Sequence, residues 1–315
     1  MKKRVLVCGA SGFIGRNIFE HLSKVPTLDV FGTFFNNKDF INDRGNPRLR
    51  RADLTDRKVA KIVTYGFDCI INAAAMTAGS IAIKARPEIY IAASNLINVN
   101  LIEAAHENNT PQLIFLSCTM MYPSSDQPLR EEETELTSVY AWVKVFAEQL
   151  CQFYAGLGRT RYTTVRHSNI YGPYDKFDLE KGHVLAATIT KVMTSANGKI
   201  IMRGRGNEKR DFLHISDLLR FIELVVVRTD HRYDVFNVGL GRSLSVKEMA
   251  EKIITISEKE LTIEWDTSKP SSDTRILIDT RKAERILGWR PLIDIDKGIK
   301  QTIDWYLKNK GSANA

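Results

Sequence analysis

Cysteine is scarce and unpaired. Cys8, Cys69, Cys118 and Cys151 lie far apart with no CxxC spacing, which excludes a disulfide framework and offers no cysteine-based metal site. Cys8 and Cys69 fall inside apolar, strand-like runs, where a reduced core thiol is the default. No apolar run approaches the roughly 20 residues that span a bilayer. The basic start MKKRVLVCGASG breaks at Gly9 before any cleavage-like site, so it reads as a first strand and not as a signal peptide. A cytoplasmic protein with no membrane partner is expected. The formal charge of +8 comes from scattered residues, with no Lys/Arg block and no interleaved aromatics. Nucleic acid is therefore not expected as a partner. A moderate positive field suits a substrate carrying phosphates equally well. Internal repeats and low-complexity linkers are also missing.

What is present is a soluble globular composition, 43% hydrophobic and 26% charged over 315 residues, enough for one large domain or a domain with a smaller lobe. Short apolar runs, VLVCG (5–9), DVFGTFF (29–35), FDCIINAAA (67–75) and QLIFLS (112–117), alternate with segments of helical spacing such as FIGRNIFEHL and IYIAASNLINVNLIEAAHENN. That alternation predicts an α/β fold, a Rossmann-type doubly wound parallel sheet. From about residue 172 the alternation loosens. A smaller C-terminal α/β substrate-binding lobe is expected there, dividing the chain near 1–171 and 172–315 with some chain shared.

Gly9, Gly12 and Gly15 follow the first strand directly and open a helix, with Phe13 and Ile14 between the last two. Glycines in that context let backbone N–H groups approach a pyrophosphate. The end of the second strand, where an acid would favour a free ribose 2′-hydroxyl, carries Asn36, Asn37 and Lys38, with Arg44 further on. This neutral-to-basic exit favours NADP(H), with NAD(H) still possible. Asp53 and Leu54 in RADLTD are candidates for the adenine edge. Ala73 in INAAA is small where a cofactor would pass close to the sheet.

Tyr140 and Lys144 are four apart in SVYAWVKVFAE and share one helix face. An ammonium beside a phenol would lower the tyrosine pKa toward working pH, and the phenol could then exchange a proton with a carbonyl oxygen. Between them and the glycine loop lies LIFLSCTMMYP (113–123), a strand whose tip bears Ser117, Cys118 and Thr119.

Together, GASGFIG, INAAA, YxxxK, RHSNIYGP, RDFLHISDL and DTRKAERILGWRP resemble the extended short-chain dehydrogenase/reductase family of nucleotide-sugar enzymes, the NAD-dependent epimerase/dehydratase family, over nearly the whole chain. NIYGPYDKFDLEKGHVLAATI and SKPSSDTRILIDTRKAERILGW are similar to its fucose-synthase branch, NADPH-dependent epimerase/reductases of a GDP-4-keto-6-deoxyhexose. The resemblance implies Tyr140 as proton donor and Lys144 as its partner on the nicotinamide ribose. It implies His183 as an acid in epimerisation, and Asn169, Val184, Arg210 and Lys269 as substrate contacts, the two cations toward pyrophosphate or sugar. It also implies a homodimer and a GDP-linked substrate. His214 and the pair Trp289–Arg290 read as structural.

One stretch departs from that pattern. Anchored on Tyr122-Pro123, the expected catalytic hydroxyl falls on Cys118, with Thr119 adjacent. The position of the branch's basic cysteine holds Met120, whose thioether has no proton to give. Thr119–Met120 also stands where dehydratases carry an Asp–Glu pair. The expectation is a reductase of a 4-keto nucleotide sugar, with epimerisation partial or absent. An NAD-dependent 4-epimerase and a non-catalytic dinucleotide-binding protein are the alternatives.

Overall fold

The computed structural model describes residues 1–37, 46–76, 86–136, 138–228, 230–269 and 273–309. Lys38 and Arg44 lie outside the described residues. The first half of the chain alternates β1 (Lys3–Cys8), α1 (Phe13–Leu22), β2 (Leu28–Phe34), β3 (Leu49–Arg51), α2 (Arg57–Thr64), β4 (Cys69–Asn72), α3 (Pro87–Glu107), β5 (Gln112–Leu116), α4 (Val139–Gly156) and β6 (Arg161–His167). β4 and β5 are buried along their whole length, as a parallel strand covered on both faces must be. That is why they read as continuous apolar runs.

The second half contributes β7 (Asn169–Tyr171), α5 (Val184–Thr194), β8 (Lys199–Arg203), β9 (Lys209–His214), α6 (Ile215–Arg228), β10 (Tyr233–Val238), β11 (Ser243–Ser245), α7 (Val246–Ile256), β12 (Thr262–Asp266), α8 (Arg281–Leu287) and α9 (Ile295–Lys308). The main sheet has seven strands in the order β3-β2-β1-β4-β5-β6-β10, every neighbouring pair parallel. Its order reverses between β1 and β4, where Cys8 sits beside Asn72. Ligands of open α/β sheets bind beyond the carboxyl ends of the strands at such a point.

Later chain joins the main sheet and its core. β10, the seventh strand, comes from beyond residue 171, and residues of α6 and α8 join the core beneath α1. Trp289 belongs to that core: it is fully buried, meets Phe221 edge-on at 5.5 Å and donates Nε1–H to the Asp217 carbonyl at 3.0 Å. The smaller lobe is built from the β11-β9-β7 and β12-β8 sheets around a third core holding Phe177, Ile189, Met249 and Tyr306. His214 ends β9 in its interior, edge-on to Tyr171 at 5.3 Å, and burial holds its pKa down at about 4.

Four helix starts carry a side-chain cap. Asp56 caps α2, Ser138 caps α4 and Asp294 caps α9, while Ser245 and Glu248 form a reciprocal capping box on α7. α1 starts at Gly12 with no side-chain cap and no acid in its first turn. Among the described residues no helix is long and apolar enough to cross a membrane.

Candidate active site

The glycine loop lies between β1 and α1, at the reversal of the sheet. Gly9 has φ +82°, and a Cβ there would sit 2.7 Å from the Ala74 Cα. A Cβ on Gly15 would sit 2.1 Å from the Gly9 carbonyl oxygen. Chain packing alone therefore demands glycine at both positions. Gly12 differs: a Cβ there would make only an ordinary 3.5 Å contact with the Gly9 oxygen. Its bare face adjoins the uncapped start of α1, where backbone N–H groups are left for an anion. This cradle fits the pyrophosphate of a dinucleotide, with Phe13, Ile14 and Gly15 supplying the first turn.

The loop is fastened to β2. Thr33 accepts from the Gly9 N–H at 3.1 Å and Asn37 donates to the Ser11 carbonyl at 3.0 Å. Asn36 is exposed just beyond the strand. Asp53 is committed to a local turn, its Oδ1 accepting from the Thr55 N–H at 3.0 Å and hydroxyl at 2.6 Å. Leu54 is buried in the core under α2 and α3, so its side chain does not line the cleft. Ala73 packs against the core on the α1 side, beneath Gly9.

At the tip of β5 the three consecutive polar side chains diverge. Ser117 turns inward, its hydroxyl donating to Glu148 Oε1 at 2.5 Å. Thr119 is buried. Cys118 is half-buried, accepts from the Met120 N–H, and interacts electrostatically with both Tyr140 and Lys144. Burial raises the Cys118 thiol, with Lys144 opposing, so it stays protonated as a weak donor. Met120 is 46% exposed.

Ser138 caps α4 by accepting from the Ala141 N–H, which sets Tyr140 in the first turn and Lys144 one turn on. The Lys144 ammonium is buried, donates to the Leu116 carbonyl at 2.8 Å and lies 4.9 Å from the centre of the Phe115 ring. Burial lowers its pKa, with Cys118 and Glu148 opposing. The expectation that Lys144 lowers the Tyr140 pKa is not met. Burial pushes the phenol well up and Cys118 adds to the rise, while the Lys144 ammonium is turned to the Leu116 carbonyl.

Sequence reasoning missed three groups beside these. Glu148 continues the stripe of Tyr140 and Lys144 by one more turn, and Arg166 clasps it from β6 with Nε at 3.1 Å and Nη2 at 2.6 Å. Arg166 Nη1 donates to the Tyr122 hydroxyl at 3.0 Å, which donates in turn to Asn237 Oδ1 at 2.6 Å. The third is His167, the last residue of β6, within electrostatic range of Lys144 and His183. Its Nδ1 faces the Ser168 carbonyl at 2.9 Å; a carbonyl only accepts, so Nδ1 carries the proton. Burial holds its pKa down at about 4, with Lys144 and His183 lowering it further.

From beyond residue 171, His183 stands at the N-cap position of α5 without capping it, its Nδ1 2.8 Å from Asp175 Oδ1. Its ring centre is 6.3 Å from that of Phe13 in the glycine loop. One side of the ring is open, with 60% of the side chain accessible, while protein crowds the other. Burial lowers its pKa, but the Asp175 carboxylate outweighs this and the net shift is upward. Arg210 is mostly surrounded by protein and lies within electrostatic range of His183 and Glu208. Among the described residues it has no hydrogen-bond acceptor. Asn169 donates to the Asp211 carbonyl at 3.2 Å, holding β7 to β9, and Val184 is the half-buried first residue of α5. Lys269 is exposed in the turn after β12 with Asp266 as its charged neighbour; it does not join the cluster.

A model of the NAD dependent epimerase/dehydratase family matches residues 5–239. The chain belongs to that family. It is 29% identical to a probable GDP-L-fucose synthase 1 of Oryza sativa subsp. japonica, across 98% of this chain and 94% of the relative. It is also 29% identical to the GDP-L-colitose synthase of Yersinia pseudotuberculosis, across 98% and 99%. The UDP-glucose 4-epimerase of Thermotoga maritima, solved with UDP-glucose, superposes with a TM-score of 0.86 at 21% identity, covering 98% of this chain and 99% of that one. At that identity the likeness speaks for the fold alone. As a member of the epimerase/dehydratase family, the protein is an NAD(P)-dependent nucleotide-sugar oxidoreductase.

Proposed function

We propose that the protein reduces the 4-keto group of a GDP-linked 6-deoxyhexose, using NADPH and without epimerising C3 or C5. The observation that carries this reading is the convergence of Tyr140, Lys144 and Cys118 at the tip of β5, with the exposed Met120 two residues beyond the thiol. When bound, the dinucleotide supplies the hydride. The remaining requirements fall to the chain. Burial keeps the Tyr140 phenol protonated at neutral pH, the state a proton donor to a carbonyl oxygen needs. Cys118 adds a second, weaker donor to the developing alkoxide. Lys144 fixes α4 to the strand tip and presents its remaining donors to the nicotinamide ribose.

Arg210, without an acceptor among the described residues, offers a planar fork to the substrate pyrophosphate. His183, held by Asp175, is a further donor from the same side. Epimerisation needs a base to take a carbon-bound proton, and Met120 has none to offer. Thr119 and Met120 likewise deny a dehydration its acid and base. GDP is favoured by the full-length kinship with fucose and colitose synthases. The residues from Val30 to Asn37 contain no acid, which favours NADPH. Trp142, Phe146 and Phe153 are all about half-exposed on α4, as is Leu96 on α3; an apolar patch of this kind fits a homodimer through these two helices. Four free cysteines fit a reducing, cytoplasmic setting.

The test is stoichiometry. Incubated with GDP-4-keto-6-deoxymannose, the enzyme should oxidise one NADPH per product formed. Product formed without net oxidation, as a C3 or C5 epimer of the ketone would be, would overturn this reading.

A further inference from the structure

We propose that Arg51, on the edge strand β3, recognises the adenosine 2′-phosphate and thereby sets the preference for NADPH. This assignment rests on the NADPH reading above. β3 lies parallel to β2 with Arg51 in register with Phe34, and the Ala52 N–H donates to the Phe34 carbonyl at 2.9 Å. Arg51 is therefore level with the carboxyl end of β2. Its side chain runs on in that direction: Nε donates to the Phe35 carbonyl at 3.3 Å, and the guanidinium carbon stands 6.0 Å from the centre of the Phe35 ring. One of five donors is used there, and the two terminal nitrogens face no carboxylate among the described residues.

The neighbouring arginines are otherwise engaged. Arg48 pairs with Asp29 at 3.1 Å, Arg4 donates to the Gly66 carbonyl, and Arg50 lies 5.6 Å from the Phe31 ring and 5.7 Å from the Phe67 ring. Among the described residues, Arg51 is the arginine that reaches the exit of β2 with donors to spare. That exit is tied to the glycine loop by the Asn37–Ser11 hydrogen bond. A dinucleotide with its pyrophosphate at Gly12 carries its adenosine ribose toward this exit. An arginine fork there matches a phosphate dianion in shape and charge. The nearest acid along the chain, Asp53, is held in its own turn by Thr55. Phe35, 42% exposed, offers a flat apolar surface beside the fork.

The experiment is a binding titration of the intact protein without substrate, by calorimetry, with NADPH, NADH, 2′,5′-ADP and 5′-AMP. The wild type should hold NADPH and 2′,5′-ADP more tightly than their unphosphorylated counterparts. Arg51→Ala should weaken both phosphorylated ligands by about 10- to 100-fold, the size of a lost charge-assisted hydrogen bond, and leave NADH within about twofold. Arg51→Lys should retain part of the preference. If the wild type prefers NADPH and Arg51→Ala keeps that preference, the assignment is overturned and the cofactor reading survives. Equal weakening of NADH and NADPH would make Arg51 a structural residue and also overturn it. A wild type with no preference would bring down the cofactor reading, and the role of Arg51 with it.

Discussion

Lys144 reaches from the second turn of α4 to the carbonyl of Leu116, 2.8 Å away and two residues before Cys118. One buried hydrogen bond thus sets the helix that carries Tyr140 against the strand tip that carries the thiol. The ammonium is committed to placement, and the phenol next to it keeps its proton.

Tyr140→Phe removes that proton and little else, because burial and not a hydrogen bond dominates its surroundings. The turnover number should fall by about 10²- to 10⁴-fold, the usual worth of a positioned general acid. NADPH affinity, measured by fluorescence titration, should hardly change. An unaltered turnover number would remove Tyr140 from the chemistry.

The glycines of the loop should separate into two kinds. Gly15→Ala forces a Cβ into the Gly9 carbonyl and should lower the melting temperature markedly. Gly12→Ala meets only ordinary contact, so the fold should melt within a few degrees of wild type while dinucleotide affinity drops. Thermal denaturation and a binding titration on both variants check this. Loss of stability in Gly12→Ala with unchanged binding would place the dinucleotide elsewhere.

Glu148 and Arg166 form a buried pair, both under a tenth exposed. Glu148→Ala leaves the guanidinium in the interior without its carboxylate, which costs about 3–5 kcal/mol. Denaturant unfolding should register that loss. Glu148→Gln, which can still accept from Ser117 and Arg166, should lose less. Equal stability of all three proteins would show that the pair contributes nothing to the fold.

How much of this was legible beforehand follows from the range of each interaction. β4 and β5 could be read because a parallel strand buried on both faces leaves an unbroken apolar run. The pairing of Tyr140 with Lys144 could be read because helix geometry alone puts residues four apart on one face. His167 could not, since only the fold brings the end of β6 within range of Lys144 and His183. The Glu148–Arg166 clasp and the return of β10 to the first sheet are equally non-local. The direction of the Tyr140 shift was misread for a related reason. Spacing placed an ammonium near a phenol, but only the fold shows the ammonium turned to Leu116. The thiol at position 118 and the thioether at 120 were plain in the sequence, and the structure adds that the serine before them faces Glu148 and not the cleft.

His167 and His214 are both held neutral, each with a pKa near 4 inside the fold against about 6.5 when unfolded. A depressed histidine lets the unfolded chain bind more protons below pH 6.5, so stability should fall as the pH drops from about 6.5 toward 4. His167→Asn should flatten part of that fall, with His214 supplying the rest. Unfolding free energies at pH 7.5, 5.5 and 4.5 for wild type and variant give the comparison. Parallel curves would mean that His167 is not buried in its neutral form.

Solvent deuterium tests the central claim most directly. The enzyme is run to completion with GDP-4-keto-6-deoxymannose and NADPH in D₂O, and the product is examined by NMR at C3 and C5. Reduction without epimerisation, as Met120 in place of a base requires, predicts protium at both carbons. Deuterium at either carbon, with inverted configuration, would contradict it and would require another group in the cleft to act as the base.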